Sequence, residues 1–146
     1  MTVYVGTMQF YDNWKAYIAQ NPDLALDTFK ILLTTSGYTP DIANHQQLSD
    51  VTNEVSGSGY ARQTLGSVNW SQVGGVASFK FADPVFTATG GNFTARRWVI
   101  YDDSSSGLVR PLMCVGLLDN SDADVTVTDG NTLTFNVNAA GLFTLS

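Results

Sequence analysis

Charge is scarce in this chain, and so are the reactive side chains: it has one cysteine, one histidine and one glutamate. Each scarcity excludes something. Charged residues are 14% of the 146, against about 25% in an ordinary domain. With 44% hydrophobic and 12% aromatic residues, the chain has too much to bury and too little charge to stay unfolded. Seven basic residues face 13 acidic ones, a net charge of −6. A nucleic-acid surface needs a basic stripe that displaces counterions, and anionic lipid asks for a basic cluster. No nucleic acid and no membrane is therefore expected as a partner. The lone Cys114 excludes an internal disulfide and a CxxC knuckle. With His45 the only imidazole, a zinc site of several Cys or His ligands cannot be assembled within one chain. No run approaches the roughly 20 apolar residues of a spanning helix. The opening MTVYVGTMQFYDNW carries no basic stretch ahead of an apolar one, so no secretory signal is expected and synthesis in a cytoplasm is.

What is present is a change of texture along the chain. Phe10, Tyr11, Trp14, Tyr17 and Ile18 recur at three- and four-residue spacing, which predicts an amphipathic helix over residues 8–21. Thr7 is its expected cap, and Asn21-Pro22 its stop. From Thr28 onward Thr, Val, Phe and Gly dominate. Strands are predicted over Thr28–Thr35, with Phe29, Ile31 and Leu33 on one face, and over Phe93–Tyr101 and Leu108–Leu118, the last interrupted at Pro111. Ser67–Gln72 and Val76–Phe81 flank Gly74-Gly75, a hairpin signal. Asp124–Thr128 and Thr132–Val137 flank Asp129-Gly130-Asn131, read as a second hairpin, and Leu142–Ser146 closes the chain as a strand. Short strands joined by Gly, Asn and Asp turns predict a mainly β fold, an antiparallel sandwich or barrel. Each sheet is expected to have one buried and one wet face. The economical division is one domain over 1–146: an N-terminal arm 1–7, the helix 8–21 and the β-sandwich or barrel 28–146. Gly37–Gly59 is too long for a hairpin loop and is expected to be functional or partly structured, with a helical turn within His45–Val51.

Residues that could carry chemistry have plainer readings. His45 beside Asp41 or Asp50 has the makings of a base and its orienting carboxylate, but no activated serine accompanies it and no GxSxG elbow exists. Cys114, within Leu112-Met113-Cys114-Val115, reads as a small core hydrophobe. Asp119, Asp122 and Asp124 miss the glycine and glutamate of a calcium loop and read as an acidic turn. Asp102-Asp103 reads as a solvated hairpin end. Gly57-Ser58-Gly59 lacks the Lys-Ser/Thr of a phosphate loop. Trp14, Trp70 and Trp98 could offer stacking faces to a sugar, although Trp70 and Trp98 sit in strands and read as core or subunit contacts. Arg96 and Arg97 should point to opposite faces of one strand, with one of them paired to a carboxylate. Catalytic residues, cofactor and metal are expected to be none.

The blocks Asp27-Thr28-Phe29-Lys30-Ile31-Leu32-Leu33, Tyr38-Thr39-Pro40-Asp41, His45, Ser49-Asp50-Val51 and Asn53-Glu54-Val55-Ser56-Gly57-Ser58-Gly59-Tyr60 together resemble a family of small virion structural proteins of tailed bacteriophages. A short aromatic helix before them, a hairpin like SVNWSQVGGVASF, a strand like FTARRWVIYDD and an ending like AAGLFTLS extend the resemblance over nearly the whole chain from Met8. The resemblance implies a decoration, or cement, protein bound to the outside of a phage head and stabilising it, with the major capsid protein as partner, a homo-oligomer of two or three copies, and location on the virion's capsid surface after synthesis in the host cytoplasm. A tail- or fibre-associated structural, receptor-binding or carbohydrate-binding module is the alternative. The expected contact residues are Val3, Tyr4, Val5, Met8 and Phe10 of the apolar arm, costly to leave in water, and Tyr38, His45 and Tyr60 of the long loop. The arm could instead pack on its own domain as an edge strand.

Overall fold

The computed structural model describes residues 1–4, 8–20, 24–104 and 109–146. In chain order it forms β1 (Thr2–Tyr4), β2 (Met8–Phe10), α1 (Asp12–Gln20), β3 (Phe29–Thr34), β4 (Gln63–Thr64), β5 (Asn69–Val73), β6 (Val76–Lys80), β7 (Val85–Thr87), β8 (Phe93–Ala95), β9 (Arg97–Asp102), β10 (Leu112–Leu117), β11 (Val125–Val127), β12 (Thr132–Asn136) and β13 (Phe143–Leu145). The central sheet runs β2-β10-β9-β3-β4; smaller sheets run β1-β12-β7, β11-β8 and β13-β6-β5. The fold is mainly β and antiparallel, apart from the parallel pairing of β1 with β12. Among the described residues no sheet closes into a barrel; the sheets pack face to face in the manner of a sandwich.

β-Branched and aromatic residues explain the strands. In β3, Phe29, Ile31 and Leu33 enter a large core with Trp14, Phe79, Phe86, Trp98, Ile100, Phe135 and Phe143. Rings meet at their edges there, Phe10 on Phe143 at 4.7 Å and Trp98 on Phe135 at 5.0 Å between centroids. Leu32 points the other way, into a second cluster with Tyr11, Tyr38, Val99, Tyr101, Leu112 and Val115, against which Ile42, Leu48 and Val51 pack. The central sheet is therefore buried on both faces, where one wet face was expected. The reason lies in residues 38–51, where Tyr38, Ile42, Leu48 and Val51 cover the second face, with the expected helical turn at Leu48–Asp50. Each large apolar side chain so buried contributes about 1.5–3 kcal/mol.

Three further expectations are corrected. Met8–Phe10 is an edge strand paired antiparallel to β10, with Cys114 opposite Phe10 and Gly116 opposite Met8. The helix begins only at Asp12. Met8 and Phe10 are half-buried and Gln9 is exposed, a period of two that the aromatic spacing after Phe10 conceals. Thr7 and Asn21-Pro22 lie outside the described residues. The predicted strand over Phe93–Tyr101 breaks at Arg96: β8 pairs with β11, while β9 pairs with β10 and β3. The second hairpin does not form. Asp129-Gly130-Asn131 turns the chain, with Gly130 at φ +79°, but it delivers β11 to β8 and β12 to β7. The predicted Gly74-Gly75 hairpin forms, with Val73 opposite Val76 and φ of +60° and +85° at the two glycines, as a tight two-residue turn requires.

Candidate functional site

Polar contacts at three points hold the long loop: the first and third reach the rest of the fold, and the second folds the loop on itself. At the first, the Tyr11 and Tyr38 hydroxyls lie 2.8 Å apart and Tyr38 Oη is 3.0 Å from His45 Nδ1. The Asp41 amide donates to the same nitrogen at 3.2 Å. An amide can only donate, so Nδ1 presents its lone pair, Tyr38 donates to it, and Tyr11 donates to Tyr38. Tyr38 has no accessible surface, and burial raises the pKa of both phenols. At the second, the Asp50 carboxylate accepts from the Gln46 and Gln47 amides at 2.8 and 3.0 Å, bonds that hold its pKa below the ordinary value. At the third, Tyr60 Oη donates to Glu54 at 3.0 Å and accepts from the Leu33 amide at 2.9 Å. Glu54 in turn binds Arg62 through both oxygens, at 2.8 and 2.6 Å, a bidentate geometry stronger than a simple ion pair. The Tyr60 ring stacks on Phe86, 5.9 Å between centroids. Gly57-Ser58-Gly59 bends the chain into this clamp, all three at positive φ.

Of the expected contact residues, then, Tyr38 lies inside, and His45 and Tyr60 are half-buried with their polar atoms bonded within the chain. Met8 borders an open groove of about 390 Å³ with Gly141, Phe143 and Thr144, and Phe10 packs on the main core. Val3 and Tyr4 are placed by backbone register opposite Phe135 and Asn136, so the described part of the arm lies along its own domain as an edge strand. Val5 lies outside the described residues, as do the side chains of Val3 and Tyr4. A second groove of about 390 Å³ is bordered by Gln9, Thr39, Arg97 and Leu117.

Several candidates for chemistry are bonded or buried within the fold. The Asp41 carboxylate bonds the Ala43 and Asn44 amides rather than His45. Cys114 is fully buried, and burial pushes its thiol pKa well up. Asp119 accepts from the amide and hydroxyl of Ser121. Asp122 and Asp124 meet arginines: Arg96 Nε lies 2.8 Å from Asp124, and Arg97 lies 3.3 Å and Arg96 3.8 Å from Asp122. The two guanidiniums thus converge, contrary to the expectation from strand alternation, because the strand is interrupted between them. Arg97 also donates to the Tyr38 carbonyl at 3.1 Å. Among the described residues no group of three His, Cys, Asp or Glu side chains is arranged to hold a metal. Trp14 and Trp98 are internal and present no face to a sugar. Trp70 is half-buried against Phe79, 4.3 Å between centroids.

Asp102 departs from its solvated reading. It is fully buried, accepting from Tyr17 Oη at 2.8 Å and from the Ser104 amide and hydroxyl at 2.9 Å each. Burial raises its pKa, partly offset by these bonds. Asp103 sits between Lys30 at 2.8 Å and Arg110 at 3.0 Å. Sequence could not reveal this, because the DD pair sits where a turn was expected and nothing local reports that Tyr17 lies across from it.

No protein-family model, curated protein or solved structure matches the chain.

Proposed function

We propose that this chain is a virion structural protein of a tailed bacteriophage, a decoration protein that binds the outside of the assembled head through the major capsid protein and acts as a homo-oligomer. The observation that carries the reading is where the resemblance falls. Its 27–60 block contains Phe29 and Leu33 of the core, Asp50, which folds the long loop on itself, and Tyr38, His45, Glu54 and Tyr60 of the contacts that hold that loop. A pattern shared at fold-bearing positions supports a shared architecture. The carboxylates described above are bonded within the chain to cations, hydroxyls or main-chain amides, and sheet edges and uncharged side chains stand beside them for contact. Those are the means by which a cement protein works.

The mechanism is linkage. A protein that binds only the assembled shell stabilises it by RT ln(1 + [L]/Kd), about 2.7 kcal/mol at a hundredfold excess over Kd. Contact with several capsid subunits adds avidity without one large interface. The net charge of −6 keeps free copies soluble. Purified protein added to undecorated heads is expected to raise their melting temperature; no rise at saturation overturns the reading. Cryo-microscopy density for the chain confined to the tail would assign it to the tail instead.

A further inference from the structure

We propose that β5 is a self-pairing edge, joining two copies of this chain about a two-fold axis at Ser71 into one continuous sheet ordered β13-β6-β5-β5-β6-β13. The proposal deepens the homo-oligomer element of the reading above.

Every other free edge among the described strands is two or three residues long, as at β1, β2, β4, β7, β8, β11 and β13. β5 has five residues and pairs only with β6. Natural sheets blunt a free edge with charge, proline, a bulge or shortness. Asn69-Trp70-Ser71-Gln72-Val73 has none of these, and its pairing with β6 runs without a register shift. No ionisable residue occurs anywhere between Arg62 and Lys80. In a chain of net charge −6, the approach of a second copy is repelled at acidic surfaces, and this edge is free of that repulsion. At the hairpin tip Val73 is 78% and Val76 39% exposed.

The tight turn determines which groups remain open. Val73 and Val76 close a two-residue hairpin, so Val73, Ser71 and Asn69 exchange hydrogen bonds with β6. Trp70 and Gln72 then direct their amides and carbonyls outward, and neither makes a backbone bond to any other described segment. An antiparallel copy in the register Ser71 opposite Ser71 places Trp70 of each opposite Gln72 of the other. All four outward groups of each chain are then used, in four interchain bonds. A shift of one residue sets Trp70 opposite its own copy and leaves Gln72 without this partner. Ser71 lies at the dyad as a non-hydrogen-bonded pair, with Cα atoms about 4.5 Å apart, within the range a disulfide spans. Its hydroxyl bonds Ser78 within the chain, so no polar group is stranded at the axis.

The test is sedimentation velocity of the full chain, with crosslinking of single substitutions. An interface this small lies at the weak end of specific contacts, so a dimer is expected near about 100 µM and dissociation on dilution. Gln72→Pro removes two of the four bonds but none within the hairpin, and is expected to weaken the dimer at least tenfold. Ser71→Cys is expected to form a disulfide-linked dimer on mild oxidation, and Thr144→Cys, at the far edge of the same sheet, is not; buried Cys114 does not interfere. A monomer at that concentration overturns the proposal. So does a dimer undiminished by Gln72→Pro, a failure of Ser71→Cys to link, or equal linking by Thr144→Cys. Head binding is measured separately, so loss of the dimer and loss of the decoration reading are distinguishable.

Discussion

The central sheet and the β13-β6-β5 sheet solve the problem of a β surface in opposite ways. In the first, the inner strands β3, β9 and β10 are buried on both faces, and the loop is tied to the rest of the fold by Tyr11-Tyr38 and by Tyr60 on the Leu33 amide. In the second, the inner face joins the core through Trp70, Phe79 and Phe143, while the outer edge and the Val73-Val76 tip carry no charge and no cover. Charged side chains beside the central sheet are paired within the chain, as at Glu54-Arg62, Lys30-Asp103 and Arg96-Asp124. The stretch between Arg62 and Lys80, which has no ionisable side chain, is the one left to meet something else.

The comparison breaks hardest at Gly116. A β-carbon there would lie 2.3 Å from Trp98 Cζ2, so Gly116→Val must displace a fully buried indole. A loss of about 3 kcal/mol or more is expected, read as a collapse of the thermal midpoint, whereas Gly74 and Gly75 at the hairpin have nothing within reach. Next comes Tyr60→Phe, which leaves the Leu33 amide without its acceptor; a cost of about 1–3 kcal/mol is expected in denaturant unfolding. Ser71→Ala removes only the paired serine hydroxyls of the outer sheet and should cost about 1 kcal/mol or less.

Acid sharpens the contrast further, within the central region itself. Asp102 has a raised folded-state pKa because it is buried, so the native state holds its proton more tightly than the unfolded chain. Its contribution to stability is complete below the unfolded value, about 3.9, and is lost as pH rises through the folded one. Asp50 has a lowered pKa; its contribution is present above the unfolded value and lost as pH falls. The expected outcome is that Asp102→Asn gains relative to the parent as pH rises above the carboxylate range, while Asp50→Asn loses, both measured as midpoint differences across a pH series. Smallest of all is Gln72→Asp: folding stability should change by no more than about 0.5 kcal/mol, while self-association at high protein concentration disappears.

Elements whose signals are local were legible in the sequence. The run Thr28–Thr35 and the Gly74-Gly75 turn each encode their own backbone geometry, and both formed as read. Asp129-Gly130-Asn131 encodes a chain reversal equally well, but which strand receives β12 is decided by β7 and β1, far away in sequence. Met8–Phe10 was open to two readings, start of the helix or edge strand of the arm, because the partner that decides it, β10, lies about a hundred residues on. The same holds at the candidate site. The residues of the loop stood out, but the inward direction of Tyr38, Ile42, Leu48 and Val51 follows from the second apolar face of β3 and β9, and a run such as Ile31-Leu32-Leu33 does not say whether one face or two are covered. The bare edge of β5 is a property of sheet order, which no stretch of the hairpin sequence contains.

The loop laid across the second face of the central sheet has a consequence for time as well as for energy. With neither face open to water, the amides of β3, β9 and β10 exchange their hydrogens only when the whole domain comes apart. Deuterium should therefore enter the outward amides of Trp70 and Gln72 first and those of Val99 and Ile100 last, and the interval between them measures how long the molecule stays shut.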